Sequence, residues 1–126
     1  MKTAISLLAV LLLMGSFRLA DEFDQITNGF KNSNANALSA TFDNTVDISM
    51  ETRSGSYSRS QATLVMSDFF SLHQVKRFEI IHKTIYPSSS YFVATMITRN
   101  GTYRTTVYMK MTGDRLKIQE IRMDAN

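Results

Sequence analysis

From Val75 to Met123 the chain carries four runs of strand character separated by short turns, and this pattern restricts the fold more than any other. The sharpest joint is Asn100-Gly101, between Tyr91–Thr98 and Thr102–Met109. Asn-Gly predicts a two-residue type I′ turn, because both central positions need positive φ and the turn's twist matches that of the flanking strands. A second joint, Thr112-Gly113-Asp114, leads into Leu116–Ile121. Strands joined this tightly pair as an antiparallel meander. The residues before Val75 then have to cover one face of it.

Three short helices are predicted for that task. Phe23, Ile26 and Phe30 recur at helical spacing, and Asp21, Glu22 and Asp24 sit in the first turn, where the helix dipole favours negative charge. Asn32-Ser33-Asn34 ends this helix and caps a second, Ala35 to Thr41, with Leu38 facing inward. Ser58-Arg59-Ser60-Gln61 fits a capping box, and the helix it starts has Ala62, Val65, Met66, Phe69 and Phe70 on one broad stripe. Between the second and third helices, Thr45 to Glu51 alternates as a half-buried strand, followed by a loop at Arg53–Ser56.

Period-two alternation assigns faces within the strands. Val46, Ile48, Met50, Phe78, Ile80, His82, Val107, Met109 and Met111 are expected to point toward the helices. The strand Tyr91–Thr98 is apolar on both sides and so predicts cover on both. In the last strand, Leu116 and Ile118 share one parity and Ile121 and Met123 the other, which predicts a bulge near Gln119-Glu120.

Met1 to Ala20 stands apart. Lys2 followed by a leucine-rich apolar run reads as a secretory signal, too short for the roughly 20 apolar residues of a membrane span. The expectation is export to the periplasm or medium, with no stable membrane insertion after signal removal. The net charge of +3 falls to +1 without this segment, since Lys2 and Arg18 lie in it and all 11 acids lie outside. A balance so close to neutral, with no basic stretch interleaved with aromatics, argues against nucleic acid as a partner. With no cysteine, the chain carries neither a disulfide nor a lipoprotein anchor, and its core must stabilise it unaided.

The order helix, helix, strand, helix and four strands, with Asp68-Phe69-Phe70 in the third helix, resembles the nuclear transport factor 2-like superfamily. Phe69-Phe70, Phe78-Glu79-Ile80-Ile81-His82, Asn100-Gly101-Thr102-Tyr103-Arg104 and Leu116-Lys117-Ile118-Gln119 are similar, more closely, to a family of small exported bacterial proteins known only as a domain of unknown function. The resemblance implies one α+β domain over residues 21–124, with a cone-shaped, cystatin-like fold. In that fold a curved antiparallel sheet of about five strands packs on three N-terminal helices and leaves a cavity at its open end. Superfamily relatives use the cavity for isomerase, dehydratase or epoxide hydrolase chemistry or for ligand binding, and many dimerise through the sheet.

The residues themselves offer little chemistry. There is no G-x-S-x-G, no H-E-x-x-H, no phosphate-cradling glycine loop and no EF-hand pattern, so no cofactor or metal is implied. His73 and His82 are too few for a metal site. The candidate pocket lining is His82, Tyr91, Tyr103, Phe69, Ile80 and Met109. Three functions fit: a non-catalytic module binding a small apolar ligand or a partner, a homodimeric scaffold built on the sheet, and a small isomerase or dehydratase using His82 as its base.

Overall fold

A computed structural model describes residues 21–86 and 88–126, so the expected signal segment lies outside the described residues. The element order is helix α1 (21–31), α2 (Ala35–Ser39), β1 (Phe42–Ser49), β2 (Ser54–Ser58), α3 (Arg59–Leu72), β3 (Val75–Ile85), β4 (Ser90–Thr98), β5 (Gly101–Thr112) and β6 (Arg115–Ala125). This is the expected α+β arrangement with one strand more. No described helix is long and apolar enough to cross a membrane.

The sheet has six strands in the order β2-β1-β6-β5-β4-β3. β3 to β6 form the antiparallel meander, whereas β1 runs parallel to β6 and pairs antiparallel with β2 on its other side. The sheet is therefore mixed rather than wholly antiparallel. The extra strand, β2, occupies residues expected to form a loop and a cap. Its serines and glycine have little intrinsic strand preference, but edge pairing with β1 satisfies its backbone, and the Ser56 hydroxyl donates to Asp47 across the pair.

The helices cover one face of the sheet. The capping box at Ser58 and Gln61 forms and starts α3, which buries Ala62, Val65, Met66, Phe69 and Phe70 as its periodicity dictates. Phe30 of α1 stacks on Phe78 with ring centroids 5.0 Å apart and meets Phe70 edge-on at 6.3 Å. Val46, Ile48, Met66, Phe92, Met96, Val107, Ile118 and Ile121 are all at most 1% exposed. α1 is fastened to the far end of the chain as well. The buried Glu22 carboxylate accepts from the backbone N–H of Leu116, and its other oxygen lies 3.3 Å from Nε of Arg115.

Of the register shifts in the sheet, two bear on the faces expected from the alternation. In β6 the register shifts at Gln119, where the change of parity predicted it, so Leu116, Ile118, Ile121 and Met123 are all buried. In β3 the register shifts at Ile81, which the alternation of Phe78, Ile80 and His82 did not reveal. One inserted residue exchanges the faces beyond it. Lys83, opposite Phe92, lies on the helix side with its ammonium 4.4 Å from the centroid of the Phe23 ring. His82, expected to point toward the helices, lies on the outer face instead.

The β4–β5 turn also differs from expectation. Thr98 pairs with Gly101, so Arg99 and Asn100 are the central residues, and of the three only Gly101 has positive φ, at 124°. A type I′ turn is thus absent. The reason is tertiary: the Asn100 side-chain amide donates to the carbonyl of Leu72 at the end of α3, while Arg99 donates from its backbone to Gln74 O and from its guanidinium to Gln74 Oε1. These contacts fix the turn against the α3–β3 junction, and glycine absorbs the unusual angle.

Candidate functional site

At the open end of the sheet, where α3 ends near β5, the structure holds a cavity of about 440 Å³. That size falls at the lower end of the roughly 300–1,000 Å³ usual for small-molecule sites. Three elements build it. α3 turns Val65, Phe69 and Leu72 toward it and ends there with His73 as its C-cap. The β1–β2 turn, closed by the Met50 N–H donating to the Arg53 carbonyl at 2.9 Å, brings Met50, Glu51 and Arg53. β5 contributes Tyr103, which stands opposite Met96 on the helix-covered face.

Three rings form its aromatic wall. Phe69 and His73 stack with centroids 4.7 Å apart, and Tyr103 meets both edge-on at 5.3 Å. Such ring pairs are each worth roughly 0.5–1.5 kcal/mol beyond their burial, so the wall is a stiff surface. Tyr103 Oη and His73 Nδ1 are hydrogen-bonded at 3.4 Å. At the rim, Nη1 of Arg53 lies 3.6 Å from Oδ2 of Asp68, with both side chains half exposed or more. A pair this solvated contributes little stability, so it marks where the turn and α3 approach without locking them together. Among the described residues, no group of three or more His, Asp or Glu could hold a metal ion.

The six expected lining residues separate into four places. Phe69 and Tyr103 line the cavity. Met109 is 2% exposed in the main core, and Ile80, opposite Ala94 on β3 at the sheet edge, is 38% exposed. Neither reaches the cavity. His82 and Tyr91 lie on the outer face, where His82 Nε2 is 3.1 Å from both Tyr91 Oη and Thr84 Oγ1, and Tyr91 packs beside Tyr108. His82 therefore has a tyrosine partner but does not line the cavity at which an isomerase base would act.

The outer face also answers why β4 is apolar on both sides. Val93, on that face, is 6% exposed within the single chain and stands apart from the main core. Its neighbours across the ladder are His82 and Thr106, so curvature and the flanking side chains cover it without a partner. Ile97 and Tyr108 remain 36% and 40% exposed.

The lining residues outside the expected set include His73, Arg53, Asp68 and Met50. His73 had a signal, lying one turn after Phe69 on the apolar stripe of α3. Met50 had one as well, in its alternation with Val46 and Ile48, whereas Arg53 had none, because its position depends on the β1–β2 hairpin.

Among solved structures, the chain is similar to a DUF4783 family protein from Bacteroides uniformis, with a TM-score of 0.79 and 24% identity over 82% of this chain and 95% of that one. A DUF4783 family protein from Bacteroides ovatus gives a TM-score of 0.77 and 27% identity over 80% and 92% of the two chains. A nuclear transport factor 2-like protein of unknown function from Silicibacter pomeroyi gives 0.60 with 10% identity and full coverage of both chains. The fold is thus nuclear transport factor 2-like. No curated protein matches the chain. Residues 23–124 match the family described as "Domain of unknown function (DUF4783)", and the chain belongs to that family.

Proposed function

We propose that this protein is a non-catalytic module, acting outside the cytoplasm, that binds a small and largely apolar ligand in the cavity at the open end of its sheet. The observation that carries this reading is the cavity itself: about 440 Å³, walled by Phe69, His73 and Tyr103 and floored by Val65 and Met50. A concave apolar site with a few polar groups at its edge is the general form of a small-molecule site. Partner histidines or carboxylates arranged for proton transfer are not needed for this role. The leucine-rich segment after Lys2 supports the extracytoplasmic setting.

Native mass spectrometry of the protein recovered from the exported fraction tests the reading. The expected spectrum shows a non-covalent adduct of small mass that disappears after denaturation and refolding in clean buffer. Replacing Val65 by Phe, which fills the floor of the cavity, should also remove it. Identical masses before and after refolding count against a ligand-binding role.

A further inference from the structure

Tyr103 and His73 share a single hydrogen bond, Oη to Nδ1. A neutral phenol and a neutral imidazole carry two polar protons between them. Only one can lie in the shared bond. When Tyr103 donates to Nδ1, the imidazole keeps its proton on Nε2; when Nδ1–H donates to Tyr103, the phenol proton turns elsewhere. Either arrangement leaves one donor over, and among the described residues neither the His73 nor the Tyr103 side chain makes another hydrogen bond. Both residues line the cavity. The wall therefore offers a donor to its contents in every tautomer.

The remaining charges narrow what that donor meets. Arg53 and Asp68 face each other at the rim, and Glu51 adds a second carboxylate with no cation paired to it among the described residues. The rim thus repels an anion, while a cation drawn to Glu51 is held at the rim, because Val65 and Met50 deeper in cannot replace its hydration.

We infer that the cavity selects an uncharged, largely apolar molecule bearing one hydrogen-bond acceptor, such as a carbonyl oxygen, which the Tyr103–His73 pair binds. This rests on the ligand-binding reading above. Four probes that share a benzene ring separate the alternatives when titrated into the full-length protein and followed by NMR: acetophenone, ethylbenzene, benzoate and benzylamine. Acetophenone should bind about fivefold tighter than ethylbenzene, the worth of one net hydrogen bond, and tighter than either charged probe. His73→Phe and Tyr103→Phe keep the rings and each leave one donor, so each single variant should retain the preference. Only the double variant should lose it. In the unmutated protein, acetophenone and not ethylbenzene should shift the imidazole nitrogen resonances of His73, which tests the inference even where the double variant fails to fold. Equal binding of acetophenone and ethylbenzene, a preference that survives in the double variant, or tighter binding of a charged probe overturns this inference and leaves the ligand site standing. Failure of all four probes to bind overturns the ligand site as well.

Discussion

Gly29 lies in α1, buried where α1 and α2 meet, and its carbonyl accepts from the backbone N–H of Asn34. A Cβ placed there would stand 2.8 Å from Cδ2 and 2.9 Å from Cγ of Leu38. Two effects then oppose each other in Gly29→Ala. Helix propensity favours alanine by at most about 1 kcal/mol, and less near the end of a helix. Overpacking costs about 1–3 kcal/mol, and Leu38 has no route of escape because it is fully buried. The net expectation is a loss of about 1 kcal/mol, which in a domain of this size lowers Tm by about 4–8 °C. Urea and thermal unfolding followed by circular dichroism will measure it. Leu38→Ala alone should cost about 2–5 kcal/mol. Because the added methyl occupies space that Leu38 vacates, the double variant should be more stable than the sum of the single effects. A higher Tm for Gly29→Ala, or strict additivity in the cycle, would refute the claim that the Gly29–Leu38 approach governs this junction.

Two further outcomes follow from polar groups. Thr105 is fully buried on β5 and its hydroxyl has no hydrogen-bond partner among the described residues, so the near-isosteric Thr105→Val should stabilise the fold by about 1 kcal/mol; a lower urea midpoint would show that the hydroxyl is satisfied in solution. Asp43 accepts from the backbone N–H of Asn44 and from the Gln119 amide, and these bonds, with Lys117 and Arg59 nearby, hold its carboxyl below the usual carboxylate value of 3.8. A group depressed in the folded state contributes stability above its unfolded pKa and loses it as pH falls through the folded value. The gap in urea midpoint between the unmutated protein and Asp43→Asn should therefore be wide at pH 7 and narrow toward pH 2; a constant gap would remove the carboxylate from the acid response.

Much of this fold was legible because its apolar residues keep a period. The stripe on α3, the capping box at Ser58 and the change of parity between Ile118 and Ile121 each predicted what the structure contains. The bulge at Ile81 escaped because Phe78, Ile80 and His82 alternate without a visible break. Its trace was nevertheless present in Ile85, an apolar residue whose parity is opposite to that of Phe78, which returns to the face of Phe78 once the inserted residue is counted. β2 was illegible in a different way. Ser54, Gly55 and Ser56 pair through their backbones, and backbone pairing leaves no pattern in side-chain chemistry. The candidate site inherited both gaps. Phe69 was legible from the stripe on α3 and Met50 from its alternation with Val46 and Ile48, His82 was misplaced by the bulge, and Arg53 became visible only with the hairpin that carries it.

The place of β6 between β1 and β5 has a consequence for how the chain comes into being. The last of the described strands in sequence is an interior strand, and Ile118 donates its N–H to Thr41 from the other half of the molecule. Until β6 emerges, the growing chain holds a β1–β2 hairpin and a three-stranded piece that can meet through the helices but share no hydrogen-bonded ladder. Contacts this distant in sequence form late and slowly. Deleting residues 117–126 therefore removes the strand that links the two ladders instead of trimming an edge, and leaves the halves held by side-chain packing such as that of Phe30 on Phe78.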